Sequence, residues 1–375
     1  MSSRLVLGSS LTLVLLAAAA LLGGCPGDAA QHEGPDADQV VDGSVDAEDS
    51  GAGRDTGPAG RADAAQPAKD AGARPDAATP APDAGTPAAD AGTPAASFQF
   101  VVWGDTKTGT NTLAALSKQV KVLNVPFTLF GGDLETAGFT QAGMNAWKNA
   151  IDGDTSGATS NGLFDTVFPV RGNHDSSNAS GWQAYWDLRS HATSVGATHY
   201  SEQTAERTWS FDYGNAHFVG VDVPGDVTLM TAAEVTWIDQ DLTAAEARGV
   251  THSFLMWHGP LWTIAEHCCT ATKPQVIDVF NKHPSVSATF HGHEHVHAWV
   301  HMNQARYSNL THEFEELVAA RAGAEPATCR SGRTDYCQDQ QNGFLLVEVD
   351  GRSFSVSFFE QGNTTPVKQM TFTKP

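Results

Sequence analysis

The sequence predicts a mixed-sheet α/β fold, and three observations predict it. From Ser97 onward, short apolar runs alternate with amphipathic helical patterns. Two stretches read as β-hairpins added to that alternation. Several of the apolar runs end in Gly followed by a polar residue, the usual way a strand leaves a sheet for a functional loop. Strands alternating with helices, plus hairpins, indicate a sheet with both parallel and antiparallel members.

Taken in order, the runs at 98–103, 127–130, 167–170, 254–257 and 286–290 read as buried strands, because they are continuous rather than alternating in hydrophobicity. Residues 112–122, 141–151 and 232–247 carry the spacing of helices with one apolar face. The pair 208–213 and 216–221 meets at Gly214-Asn215 and reads as a hairpin. The pair 344–349 and 353–359 meets at Asp350-Gly351, a strong two-residue turn signal.

The first 96 residues read differently. Arg4 precedes an apolar stretch from Leu5 to Leu22, followed by Gly23, Gly24 and Cys25. This arrangement resembles the lipobox of bacterial lipoproteins. It implies a signal peptide over 1–24 and lipid attachment at Cys25. The protein is then expected to be exported and membrane-anchored, facing the periplasm or the cell surface, with acyl chains that anchor without spanning. An uncleaved membrane helix and an ordinary cleaved signal are the competing readings. Residues 26–96 hold no aromatic residue and consist largely of Ala, Asp, Pro and Gly. Such a segment buries too little apolar surface to offset chain entropy, so 25–96 is expected to be a disordered tether. The folded domain is expected over 97–375.

Charge narrows the partners. The chain carries a net −21, and 14 acidic against 4 basic side chains lie in 26–96 alone. The domain beyond is also acidic, which repels nucleic-acid backbones. No nucleic-acid binding is expected. A small phosphate ester held by metal is compatible with this charge.

Cys25 apart, the cysteines are Cys268, Cys269, Cys329 and Cys337. Outside the cytoplasm an even number suggests two disulfides, with three possible pairings. Adjacent cysteines rarely bond to each other. The favoured pairing joins Cys268 and Cys269 each to one of Cys329 and Cys337. The alternative is a local Cys329–Cys337 loop with the other two thiols free.

Five of the expected strands end in groups of one chemical kind: Asp105; Asp133; Asn173-His174-Asp175; His258; and His293-Glu294-His295. In open α/β sheets ligands bind outside the carboxyl ends of strands. Converged there, carboxylate, amide and imidazole groups suit divalent or trivalent first-row metals such as Mn, Fe or Zn.

The series Gly104-Asp105, Gly132-Asp133, Gly172-Asn173-His174-Asp175, His258-Gly-Pro and Gly292-His293-Glu294-His295 resembles the calcineurin-like metallophosphoesterase superfamily, and most closely its purple acid phosphatase-like branch. Residues 209–222, 322–324 and 343–351 resemble that branch outside the site. The resemblance implies a four-layer α/β/β/α sandwich of two mixed sheets. It implies a binuclear hydrolase that cleaves phosphomonoesters or phosphodiesters with a metal-bound hydroxide. Asp133 is expected to bridge two metal ions. Asp105 and His295 are expected on the first, and Asn173, His258 and His293 on the second. His174 is expected to face the phosphate as a catalytic group, and His267 is a second candidate. Two departures stand out. Lys107 occupies a position where many superfamily members have His, and Thr136 occupies the position of the tyrosine that purple acid phosphatases use. They favour the alternative function, a non-catalytic metal- or ligand-binding lipoprotein that has kept the fold. The intact Asn173-His174 pair argues against it.

Other residues have blander readings. Asp105 and Asp133 taken singly are as compatible with helix caps. His291, His297 and His301 read as bystanders and His217 as structural. His191, His199 and His283 read as surface residues. Asp175 is expected to brace the Asn173-His174 loop. Trp257, Trp262 and Trp299 read as core or pocket wall.

Overall fold

A computed structural model describes residues 97–374 except Ala137, Thr263 and 268–272. The expected signal peptide, Cys25, the tether, Cys268 and Cys269 lie outside the described residues. In chain order the elements are β1 (Phe98–Trp103), α1 (Thr110–Leu123), β2 (Thr128–Phe130), α2 (Gln141–Ile151), β3 (Val167–Pro169), α3 (Ala179–Tyr185) and α4 (Leu188–Val195). Then come β4 (Thr198–Thr204), β5 (Thr208–Tyr213), β6 (Ala216–Gly220), α5 (Ala232–Ala247), β7 (His252–Met256), α6 (Pro274–Lys282) and β8 (Val286–His291). The chain ends with β9 (His297–Met302), β10 (Phe314–Val318), β11 (Tyr336–Gln338), β12 (Gly343–Asp350), β13 (Ser353–Glu360) and β14 (Lys368–Thr373).

These strands form two mixed sheets. One has six strands in the order β14-β13-β12-β1-β2-β3, and the other eight in the order β11-β9-β10-β8-β7-β6-β5-β4. β1, β2 and β3 run parallel, as do β6, β7, β8 and β10. The parallel strands are buried on both faces because both faces are covered. Between the sheets, the Phe100 ring meets Phe218 at 5.1 Å and Phe290 at 5.8 Å. Each such fully buried side chain contributes about 1.5–3 kcal/mol of transfer free energy.

The outer faces are covered by helices. Trp147 of α2 packs edge-on to Phe130 of β2, with ring centroids 5.0 Å apart. Ile238 and Leu242 of α5 and Ile277 and Phe280 of α6 share a cluster with Leu255 and Trp257. The layers thus run helix, sheet, sheet, helix. α2 begins at Thr140, whose side chain accepts from Gly143 N, and α5 begins with a reciprocal cap between Thr231 and Glu234. No helix among the described residues is long and apolar enough to cross a membrane.

Two expectations are corrected. Cys329 is bonded to Cys337, with Cα atoms 6.1 Å apart, so neither reaches Cys268 or Cys269. The bond is local, closing a loop whose ends are 8 residues apart in sequence, and Cys337 lies in β11 opposite Ala298 of β9. His191 and His283 are not on the surface. His191 is buried with Nδ1 2.9 Å from Val167 O, and buried His283 sits 3.1 Å from both Glu246 and Asp239.

Candidate metal centre

The parallel direction of the central strands decides where the polar groups fall. Asp105 follows β1, Asp133 follows β2, and Asn173–Asp175 forms a 3-10 turn after β3. His258 follows β7, while His293 and His295 follow β8. All five loops therefore open on one rim, where the two sheets meet. His258 Nδ1 lies 2.7 Å from Gly131 O in the opposite sheet, and His293 N donates to Asp105 Oδ1 at 2.9 Å. Within the six-stranded sheet, Asp105 N donates to Gly132 O at 3.0 Å and Thr106 N to Asp133 O at 2.9 Å.

The loops are tight. Asp105, Lys107, Asp133, His293 and His295 all have positive φ, between 48° and 68°. Side chains rarely take that conformation, and Asp and His tolerate it better than most. Gly132, at φ 97°, has no room for a side chain, because a Cβ there would lie 2.6 Å from His258 Nδ1. The chain turns this sharply so that the carboxylates point into the rim.

On the rim, Asn173 Oδ1 lies 3.0 Å from His258 Nε2 and 3.1 Å from His293 Nδ1, and those two nitrogens are 3.1 Å apart. Asp133 Oδ1 is 3.4 Å from His258 Nε2. His295 Nε2 is 3.7 Å from Asp105 Oδ1. Asp105, Asp133 and His258 each offer one ligand atom, all within 4.8 Å of one another. Burial, reinforced by Asp133, holds the Asp105 carboxyl well above its ordinary value. Burial lowers His258, and burial together with the neighbouring imidazoles lowers His293 strongly. Burial and then Lys107 push His295 down to about 2. These imidazoles are therefore neutral and carry lone pairs, the form that binds metal.

The donor set fits a cation. His258 Nδ1 is hydrogen-bonded to a carbonyl, so its hydrogen is there and Nε2 is a bare lone pair. That lone pair faces the carbonyl oxygen of Asn173 and a carboxylate. Asp105 Oδ2 is buried and has no hydrogen-bond partner among the described residues. Buried polar atoms are normally paired. A cation held among these oxygens and nitrogens would supply the missing partner.

Every expected ligand is thus brought to one rim, and so are the two catalytic candidates. His174 N donates to Asp133 Oδ1 at 3.0 Å, its Nδ1 lies 2.7 Å from Thr136 O, and its Nε2 is 4.0 Å from Asp133 Oδ2. The Thr136 carbonyl fixes the ring so that Nε2 faces the centre. His267 is exposed, with its ring 4.7 Å from that of His295. Asp175 braces the loop as expected, accepting from Gly172 N at 2.9 Å and from Leu134 N and Glu135 N at 3.1 Å. Burial and the Asp133 charge raise it to about 7.

Three supporting residues escape a reading of motifs alone. Buried Glu294 accepts from Ile264 N and His267 N at 3.2 Å, holding the loop after His258 against the His293-His295 turn. Buried Glu316 accepts from Leu261 N at 2.7 Å and Trp262 N at 2.9 Å. Arg171 makes a two-pronged pair with Asp222 at 2.7 and 2.9 Å and donates to Ser176 O at 3.1 Å, tying down the Asn173 turn. The available signal was a charge inside an apolar run, in Phe168-Pro-Val-Arg-Gly and in Phe314-Glu-Glu-Leu-Val.

Comparison with known proteins agrees with this geometry. Residues 98–297 match the family model for calcineurin-like phosphoesterase. No curated protein matches the sequence. Among solved structures, a dimetal phosphatase from Danio rerio is similar at 15% identity and TM-score 0.52, over 76% of this chain and 100% of that one. GAP50, the anchor in the inner membrane complex of Plasmodium, is similar at 11% identity and TM-score 0.49, over 74% of this chain and 89% of that one. PhoD has the same identity and TM-score, over 77% of this chain and 71% of its own.

Proposed function

We propose, on the premise that the chain belongs to the calcineurin-like phosphoesterase family, that it is a binuclear hydrolase of phosphomonoesters or phosphodiesters in the purple acid phosphatase-like branch. Asp133 would bridge two metal ions, with Asp105 and His295 on the first and Asn173, His258 and His293 on the second. Bound there, the ions supply Lewis acidity and a nucleophile at neutral pH. The observation that best supports this reading is the meeting of Asn173 Oδ1, His258 Nε2 and His293 Nδ1 within 3.1 Å, beside the unpartnered Asp105 Oδ2.

The chain's own residues supply the rest. The neutral imidazoles leave their lone pairs free for metal. Asp175 and Arg171 hold the Asn173-His174 turn, and Glu294 holds the loop that carries His267. His174 Nε2, aimed by the Thr136 carbonyl, can hold a proton for the departing oxygen or offset charge on the phosphate. Thr136 lacks the phenol of a tyrosine ligand, yet its backbone gives His174 an orienting partner. That favours a catalytic centre over a binding protein that has kept the fold. Export and lipidation at Cys25 belong to the same proposal, and a Cys25→Ser variant should lose incorporated lipid. The deciding experiment is metal analysis of the purified protein together with turnover of nitrophenyl phosphate and its diester. Two metal equivalents with turnover of either ester is the expected result; a metal-loaded protein inert to both would overturn it.

A further inference from the structure

Beside the rim, two arginines crowd one indole and a third stands on the same segment as one of them. The Arg333 guanidinium stacks over the Trp262 ring at 4.1 Å, and that of Arg306 lies 5.6 Å from the same ring. Arg330 stands on the same segment, with its N donating to Ile264 O at 3.1 Å and its guanidinium to Glu266 O at 3.4 Å. All three arginines and the indole are half-buried, so they are reachable from solvent. The segment that carries Arg330 and Arg333 is closed by the Cys329–Cys337 disulfide and anchored where Trp262 Nε1 donates to Arg333 O at 2.9 Å.

This cluster adjoins the centre. Glu266, which receives the Arg330 guanidinium, precedes His267, whose ring is 4.7 Å from His295. Ile264, which receives the Arg330 backbone, is itself held by Glu294, between His293 and His295.

Like charges brought together in a partly desolvated place repel each other. Burial, followed by Arg330 and Arg306, lowers Arg333 from its ordinary value. Arg306 has a carboxylate to offset it, Asp335 at 3.3 Å. In a protein of net charge −21, these arginines set three guanidinium groups beside the proposed site. Planar guanidinium groups match carboxylate and phosphate oxygens two at a time.

We propose that Arg333 and Arg306, which flank Trp262, together with Arg330 on the same segment as Arg333, bind a second anionic group, a carboxylate or phosphate, on the alcohol portion of the phosphate-ester substrate. This rests on the reading of the centre as a phosphoesterase. It makes the preferred substrate one that carries charge at both ends. The scissile phosphate goes to the rim and the second anion to the arginines.

The test uses metal-loaded protein and two esters of similar size. Glycerol phosphate has a neutral alcohol portion, and 3-phosphoglycerate carries a carboxylate there. Equilibrium binding and steady-state turnover are measured for both, in wild type, R330Q/R333Q and R330K/R333K. Wild type is expected to bind 3-phosphoglycerate about 10- to 100-fold more tightly, the usual worth of a charge-assisted hydrogen bond. The Gln pair should lose this preference through Kd and KM, leaving binding and turnover of glycerol phosphate within about twofold. The Lys pair should keep a large part of it, because the charge remains. Equal affinity of wild type for the two esters would overturn the proposal. So would equal weakening of both esters in the Gln pair, or a Lys pair as impaired as the Gln pair. The binding measurement stands even where neither ester turns over. That outcome would count against hydrolysis, while a retained binding preference would still support the arginine site.

Discussion

His217 and His258 are both fully buried, and their surroundings push their protonation in opposite directions. His217 lies between two carboxylates, with Nδ1 2.6 Å from Asp212 and Nε2 2.9 Å from Asp241. Burial works against its charged form, but the hydrogen bonds and charges of Asp212 and Asp241 outweigh burial and raise it above its ordinary value. His258 has a carbonyl at one nitrogen and a crowd of lone pairs at the other. There burial prevails over Asp133 and lowers it. The difference teaches how a structural histidine is told from a ligand. The first has a complementary partner at each nitrogen, whereas the second faces an amide oxygen, a carboxylate and another imidazole. That second set is one a cation would draw together.

The contrast can be broken from either side. The largest effect should come from Asp133→Asn, which removes charge from the centre of the rim. Metal content and activity should fall together, with turnover reduced by about 10³-fold. Elemental analysis beside kinetics checks this; full metal content with lost activity would move Asp133 from ligand to catalytic group. Next comes His174→Ala. Metal should stay, because His174 Nε2 stands farther from Asp133, at 4.0 Å, than His258 Nε2 does at 3.4 Å. Activity should fall by about 100-fold. The loss should be greater for alkyl phosphates than for nitrophenyl phosphate when His174 supplies the proton, and equal when it offsets charge.

On the structural side, His217→Ala should leave metal content unchanged and cost about 2 kcal/mol of stability, since it removes the partner of half-buried Asp241 and leaves buried Asp212 with Arg248 alone. Denaturant titration measures it. The smallest effect is its pH dependence. A folded-state pKa above the unfolded value near 6.5 means that the His217 contribution is fully present below about pH 6.5 and fades as pH rises through the folded value. Asp212, lowered on balance by its bonds to His217 and Arg248 despite burial, withdraws its own share in acid. The stability gap between wild type and His217→Ala should therefore be widest between about pH 5 and 6.5 and narrow toward alkaline pH. A gap that widens above pH 8 would reverse the charge assigned to His217.

The sequence disclosed those elements whose local chemistry agrees with their place in the fold. The helix at 141–151, that at 232–247 and the strand at 208–213 coincide with α2, α5 and β5. Each has a cap, a turn or an apolar stripe of its own. β4 (Thr-His-Tyr-Ser-Glu-Gln-Thr) and β14 (Lys-Gln-Met-Thr-Phe-Thr) are edge strands, paired on one side only, so they need no apolar run and showed none. β10 was hidden by Glu315 and Glu316, whose burial depends on partners far along the chain. α6 did carry a signal, with Pro274 at its start and Val276, Ile277, Val279 and Phe280 on its buried face. For the centre, residue types and spacing named the groups that converge. They could not show Thr136 O orienting His174, because a carbonyl oxygen is common to every residue. Nor could they show the Arg330–Arg333 segment arriving beside His267, since that depends on how the chain returns through β11.

The five left-handed residues on the rim have a consequence for the protein's history. Each of Asp105, Lys107, Asp133, His293 and His295 holds about 1–3 kcal/mol of backbone strain that Gly would relieve. A population selected for heat resistance alone would drift toward Gly or Asn at these sites, and its survivors would be sturdier and inert. The rim persists only while selection tests chemistry as well as endurance. A homologue with small residues at all five positions would be one released from that test.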